Sequence, residues 1–502
     1  MKVVIKLLLL AMAVSFLLGS YTSGSAAEPN ATIEPDATPV ATPTITAPDP
    51  AVKWKVDAGN IRFSSLATAN GLVYVPGDGS LTALDLRSGQ KRWEFESGLY
   101  GYEGTDPVVA GDTVLFGISS DISIDPSRSD YLYAGVMFAL DARTGREKWR
   151  FKVDEEQVST PVVVNDTIYF GSGHLPDGTA FSPPPNGYIY ALKLATGKLQ
   201  WRLPIPGEDV LVTPAFKKDT LYFIAGDYYT TTYLHSLDLR TRKENWKLKL
   251  ADRIDDNMTS FAPVVVGDLV YVAGLYRLYA VDAKTGTLKW NFDTVPDSSP
   301  LVTDIHCCGN SPSTMYNGKL GAWPEISASA VFTSIYVPQP QVQSPPLVDN
   351  GIAYFGVNLD SGVPDERGYF NRIDFYMLGL DASTGQERWR FRSPEEIGSI
   401  PVIDAGIIYF DASYINYYLY AVDMKSKQVK WRLETETFTV TPPVVVDGVL
   451  YVGDYNDNVY AVLTSPVGMP TAGGLNRYIV VAVLLATFIL CLGATLRRSR
   501  SF

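Results

Sequence analysis

Seven copies of one short element run through the chain and restrict its fold more than any other feature. Each has a small residue, a spacer, usually an aspartate, then Thr or Ser with Gly, and a tryptophan eight positions after the aspartate position. The copies run from Ala83-Leu84-Asp85 to Trp93, Ala139-Leu140-Asp141 to Trp149, Ala191-Leu192-Lys193 to Trp201 and Ser236-Leu237-Asp238 to Trp246. They continue with Ala280-Val281-Asp282 to Trp290, Gly379-Leu380-Asp381 to Trp389 and Ala421-Val422-Asp423 to Trp431. A fixed internal period marks a repeat architecture, in which each unit buries its apolar face against the next.

Two apolar runs precede each copy, the first opened by proline and the second rich in tyrosine, as in Pro263 to Val266 and Leu269 to Val272. A repeat therefore holds four short strands, A to D, with the Asp and Gly at the C–D turn and the Trp on strand D. Glycine at that turn supplies a positive φ, and the aspartate caps the turn through its backbone. Arg242 and Lys427 replace the glycine in two copies, where altered turns are expected. An eighth copy begins at Pro442 and stops at Val462 without a strand D, while Val52 to Val56, with Trp54, is a strand D with nothing before it. The economical solution is a closed ring: an all-β, eight-bladed propeller of four-stranded blades over residues 51–463, in which the N-terminal strand completes the last blade.

The Ala-x-Asp-x-x-x-Gly-x-x-x-Trp element resembles the tryptophan-docking motif of the PQQ-repeat propellers, which include the quinoprotein alcohol dehydrogenases and BamB-like proteins. The resemblance implies a structural role for Trp54, Trp93, Trp149, Trp201, Trp246, Trp290, Trp389 and Trp431, each packed between adjacent blades. It also raises the possibility of pyrroloquinoline quinone (PQQ) and calcium, which are taken up below.

The two ends read differently from the repeat. Residues 1–27 have the form of a signal peptide, with Lys2 and Lys6 before the run Leu7 to Leu18 and a small-x-small site at Ser25-Ala26-Ala27. Residues 28–50 alternate Pro, Thr and Ala and form a linker. Residues 464–477 form a second linker whose Met469-Pro470-Thr471-Ala472-Gly473 resembles a sortase signal with two substitutions. Tyr478 to Leu496 is apolar and long enough for a transmembrane helix, and Arg497, Arg498 and Arg500 in the tail 497–502 hold that end in the cytoplasm. The expected setting is a bacterial cell surface, with the propeller outside and anchored in the membrane or wall. Loss of Lys2 and Lys6 takes the formal charge from −12 to −14; so acidic a chain lacks the basic clusters that nucleic acid requires.

Departures from the repeat fall on one side. Insertions sit at the B–C junctions of blade 2 (118–134), blade 3 (172–187), blade 4 (227–233), blade 6 (357–374) and blade 7 (411–418). The longest, 293–343, joins strand D of blade 5 to strand A of blade 6. Strands alternate in direction, so B–C and D–A connections share a face, where binding is expected. Its candidate residues are Tyr100, Tyr102, Phe181, Tyr188, Tyr228, Tyr229, Tyr369, Phe370, Tyr414 and Tyr417, since tyrosine offers large amphipathic contact area at low entropic cost.

Signs of catalysis are sparse. Cys307 and Cys308 are candidates for a vicinal disulfide, which resembles the one stacked over the quinone in some quinoprotein dehydrogenases; the plainer reading is a bridge that stiffens the loop. Glu103, Asp106, Asp297, Asp304 and Asn310 are possible calcium donors of undiagnostic spacing. Asp454 to Asn458 reads as a turn, and His174 and His235 read as isolated. No catalytic residue or metal ligand is assigned and no cofactor is expected. The resulting expectation is a monomeric, non-catalytic scaffold that binds a protein or glycan on its loop-rich face. A membrane-anchored PQQ- and calcium-dependent alcohol or sugar dehydrogenase is the alternative.

Overall fold

The computed structural model describes Asn30, Ala31 and residues 47–464, apart from 60, 62–63, 100, 122–132, 155–156, 175–185, 211, 228–230, 251–260, 275, 295–340, 365–370 and 414–416. The strands assemble into eight separate sheets, each an antiparallel set hydrogen-bonded in the order A–B–C–D, with Asn30–Ala31 added parallel to strand D of blade 5. Blade 1 shows the plan: A is Ala67–Ala69, B is Leu72–Pro76, C is Ser80–Asp85 and D is Lys91–Glu96. Strand B of this blade is buried throughout and C nearly so, whereas D alternates between exposed and buried positions. That follows from layering. The middle strands are covered on both faces by neighbouring blades and are apolar without a break, while the outer strand meets solvent on one side.

The ring closes through the N-terminal strand. Val52–Asp57 pairs antiparallel with Asn458–Leu463, completing the blade that begins at Val444. Trp54 then lies 5.7 Å from Tyr451, and the Tyr451 hydroxyl donates to the Leu86 carbonyl of blade 1 at 2.9 Å.

The seams between blades repeat one arrangement. The indole N–H of strand D donates to the carbonyl that follows the aspartate position of the next blade: Trp93 to Ala142, Trp246 to Ala283, Trp290 to Ala382 and Trp389 to Met424. A strand-B tyrosine often donates to the same carbonyl, as Tyr74 does at Ala142, Tyr222 at Ala283 and Tyr271 at Ala382. Each such bond is worth about 1 kcal/mol net and fixes the stacking of otherwise separate sheets.

Three expectations need correction. The turns with Arg242 and Lys427 are not altered: both residues adopt positive φ (57° and 58°), and their amides donate to the Asp238 and Asp423 carbonyls at 2.8 Å, as Gly145 does to Asp141 at 2.9 Å. The retained aspartate and its capping bonds impose the turn, and the Arg242 guanidinium rests 5.3 Å above Trp201. Much of the apparent insertion in blades 2 and 6 is not loop, because strands B and C simply run on as a hairpin, pairing Asp121 with Tyr133 and Pro364 with Asn371. Strand A is broken in blades 2, 3 and 6, where Gly101–Gly104 and Val108–Ala110 both pair with Thr113–Asp121, for example. Pro107 separates that pair and cannot donate to the ladder.

Candidate functional site: the loop-rich face and the junction of blades 3 and 4

Alternation of strand direction puts the extended hairpins of blades 2 and 6 and every D–A crossing on one face, opposite the uniform A–B and C–D turns. Of the candidate aromatics, Tyr100, Phe181, Tyr228, Tyr229, Tyr369, Phe370 and Tyr414 lie outside the described residues, as do Cys307 and Cys308. Tyr102 falls in strand Gly101–Gly104. Tyr188, on strand C of blade 3 (Asn186–Lys193), packs 5.9 Å from Tyr190 under the Arg202 guanidinium, 4.8 Å from its ring. Tyr417 opens strand C of blade 7 and stands 6.2 Å from Phe438 in the crossing to blade 8. Phe438 stacks on Tyr455 at 4.9 Å, and Tyr455 is 49% exposed. A three-ring row thus spans blades 7 and 8, two of whose members the sequence reading did not single out. The signal was available, since Phe438 and Tyr455 both sit in connections of the loop-rich face.

The acidic candidates resolve into structural roles where they are described. Asp106 is half-buried, accepts from the Ser65 amide and donates its own amide to Thr160. It ties the entries of three blades together, and burial raises its carboxyl above the usual value. Asp454 accepts from the amides of Asn456 and Asn458 and from the Tyr460 hydroxyl at 2.8 Å, and Asp457 adopts a φ of 65°. That is the chemistry of a hairpin turn.

His174 and His235 are not isolated. Both reach the crossing from blade 3 to blade 4, at the consecutive residues Glu208 and Asp209. His235 lies on strand C of blade 4 (Thr231–Asp238), is 3% exposed and stacks flat on Phe223 at 4.7 Å. Its Nε2 is 2.7 Å from Glu208 and its Nδ1 2.9 Å from Glu244. Both ring nitrogens thus face a carboxylate oxygen. Lys247 also bonds Glu208. Burial opposes the Glu208 charge, but the His235 and Lys247 bonds outweigh it and hold the carboxyl below its ordinary value. At Asp209 burial prevails over the 3.3 Å contact with His174 and raises the carboxyl. A cleft of about 280 Å³ opens beside the cluster, lined by Leu203, Phe223, His235, Arg242, Glu244 and Lys247. The charges compensate one another and weld the exit of blade 3 to the outer strands of blade 4. Spacing could not reveal this, because Glu208 lies in the crossing and meets His235 of blade 4 only through the path of that crossing.

A quinone site with calcium needs several converging carboxylate or amide oxygens. Among the described residues no group of three or more His, Cys, Asp or Glu is placed to hold a metal ion. Asp297, Asp304 and Asn310 lie outside them.

The family model described as outer membrane protein assembly factor BamB matches residues 42–128, 170–306 and 374–465. Tetrathionate hydrolase of Acidithiobacillus ferrooxidans is 23% identical over 323 residues, 56% of this chain and 60% of that protein. Outer membrane protein assembly factor BamB of Burkholderia pseudomallei is 29% identical over 137 residues, 27% of this chain and 30% of that protein. The chain thus spans less than two thirds of the curated relatives it matches. Quinohemoprotein alcohol dehydrogenase of Comamonas testosteroni shares the fold, with a TM-score of 0.56, 15% identity, and 84% of this chain and 78% of that chain covered.

Proposed function

The chain belongs to the PQQ-repeat family whose model is described as outer membrane protein assembly factor BamB, and from that membership we propose a non-catalytic, extracytoplasmic scaffold that seats a partner on its loop-rich face. The observation that carries this is the asymmetry of the ring. The C–D turns keep one geometry even where Arg242 and Lys427 replace glycine, whereas the opposite face bears the long hairpins, the crossings and the aromatic row in which half-buried Tyr417 and Phe438 lead to exposed Tyr455. Function concentrates on such variable loops above a rigid frame. A protein is the preferred partner, in keeping with relatives named as assembly factors; a glycan is the other class that tyrosine-rich surfaces take. Residues 1–27 export the chain and 478–496 anchor it, with Cys307 and Cys308 bridged to stiffen the longest insertion; the structure describes none of these segments. Photo-crosslinking residues placed at Tyr417 and Tyr455 are expected to trap a discrete partner in cells, and the same probe at Arg143 is not. Equal trapping from both faces would sink the proposal.

The dehydrogenase alternative needs a donor set that the described residues do not assemble, so no catalytic step is derived from it. Adding PQQ and Ca²⁺ to the purified protein decides the matter. Quinone absorbance with dye reduction would establish an enzyme, and no binding is the outcome expected here.

A further inference from the structure

The side opposite the loops carries a charge pattern that the scaffold reading does not use. Five of the seven complete C–D turns hold Arg or Lys two residues after the aspartate position: Arg87, Arg143, Arg240, Lys284 and Lys425. All five are exposed. The aspartates of these turns are consumed locally, as Asp85 is by Arg92 at 2.6 Å and Asp282 by Thr285 and Lys289. The A–B turn carboxylates Asp112, Asp166 and Asp268 are matched by Lys148, Lys193 and Lys217. Among the described residues, Arg87, Arg143, Lys284 and Lys425 make no ion pair, and neither do Arg146, Lys198 and Lys243 on the same turns. Asp219, Asp349, Asp404 and Asp447 are the described turn carboxylates without an ion pair that offset them. Uncommitted cations therefore outnumber uncommitted carboxylates on this face, in a chain whose formal charge is −12. Arg87 and Arg143, with the ion pair Arg92–Asp85 between them, also line one open depression of about 760 Å³ where blades 8, 1 and 2 meet, with Asn70 and Asp447 on its rim.

The last described residue of the propeller, Thr464, lies on this same side. Strand C of blade 8 (Asn458–Leu463) runs away from the loop-rich face, and the Thr464 hydroxyl donates to the Gly448 carbonyl in the A–B turn of that blade at 3.0 Å. Gly448 directly follows Asp447 on the rim of the arginine depression. Thirteen residues, 465–477, separate Thr464 from the apolar stretch that begins at Tyr478. Fully extended they reach no more than about 45 Å.

We propose that the uniform-turn face is the membrane-facing side of the propeller, and that its exposed arginines and lysines, with the Arg87–Arg92–Arg143 depression at their centre, bind the phosphates of anionic lipid headgroups. The proposal rests on the anchor reading of residues 478–496. Guanidinium groups suit this task because they stay charged and bond phosphate oxygens two at a time. Cations close to an anionic surface each add a modest, salt-sensitive attraction. The ring then lies with its loop-rich face turned outward, clear of the bilayer, where a partner can reach it.

The test uses the full chain in nanodiscs of phosphatidylglycerol or of phosphatidylcholine alone, followed by hydrogen exchange. Peptides over 84–92, 140–147, 281–287 and 422–428 are expected to exchange more slowly in phosphatidylglycerol, with the 454–458 hairpin unchanged. Reversal of Arg87, Arg143, Lys284 and Lys425 to Glu is expected to abolish the difference, losing about fivefold in lipid preference for each cation removed. Replacement of both arginines by Lys should retain most of it, and unchanged melting temperatures would show that these exposed variants still fold. Equal exchange in the two lipids, or protection of the 454–458 hairpin instead, would overturn the proposal while leaving the anchor intact. A chain that enters neither nanodisc would overturn the anchor reading and this proposal together.

Discussion

The Ala382 carbonyl receives two donors, the Tyr271 hydroxyl at 2.8 Å and the Trp290 indole at 3.1 Å, so loss of either bond leaves it satisfied. Trp290→Phe keeps most of the buried ring and is expected to cost about 1–2 kcal/mol. Trp290→Ala leaves a cavity and should cost about 3–5 kcal/mol. Combining Trp290→Phe with Tyr271→Phe orphans a buried carbonyl and should exceed the sum of the single effects by about 1 kcal/mol, a coupling that a denaturation cycle measures. Strict additivity would show that the shared carbonyl is not what joins the blades. The turn that follows the aspartate makes a second test. Gly145 has a φ of 70°, and a Cβ there would sit 2.6 Å from the Trp93 ring, whereas a Cβ on Gly111, with a φ of 62°, meets nothing within 4 Å. Both alanine variants bear the same backbone strain, so Gly145→Ala should be the worse by about 1–3 kcal/mol, the cost of overpacking. The tryptophans were visible in the sequence because their spacing is invariant. Their tyrosine partners were not singled out, since a Tyr on strand B looks like any other strand residue until the next blade supplies its acceptor.

Strands B and C could be placed from the sequence because burial on both faces leaves them unbroken apolar runs, and D because its tryptophan marks it. Strand A was less legible, being three residues long in most blades and interrupted by proline in three of them. The closing strand Val52–Asp57 is the most consequential placement, as its register with Asn458–Leu463 spans nearly the whole described ring in sequence. Deleting residues 51–58 removes Trp54 and leaves Asn458–Leu463 as a bare edge beside blade 1. The melting temperature should then fall well beyond what a frayed terminus costs, and circular dichroism on heating would register it. An unchanged transition would mean that blade 8 stands without its fourth strand. The Glu208–His235–Glu244 cluster lay beyond reach for a different reason. Its members come from two strands of blade 4 and the crossing that enters it, and no spacing rule relates residues whose meeting depends on the path of that crossing.

Acid sensitivity belongs to the ring as a whole, because the same group recurs around it. Asp85, Asp141, Asp238, Asp282, Asp381 and Asp423 each accept bonds within their C–D turns, and all six carboxyls are held below the ordinary carboxylate value. At Asp282 the Thr285 amide and Lys289 bring it down to about 2. A carboxyl whose folded value is depressed stabilises the protein above its unfolded value, near 3.9, and that contribution drains away as pH falls through the folded one. Asp106 and Asp209 act in the opposite sense: burial raises their carboxyls, so their share is largest in acid and is lost as pH rises. With Asp112, Asp166, Glu208 and Glu436 also held low, ten depressed carboxyls against two raised ones set the balance. The melting temperature should therefore hold steady from neutrality to about pH 5 and fall steeply between about pH 4 and 2. Asp282→Asn keeps an acceptor oxygen for the turn but removes one titrating group, so its melting temperature should lie below that of the natural chain at neutral pH and approach it at pH 2. If the two curves stay parallel over that whole range, the turn aspartates are not the source of acid unfolding.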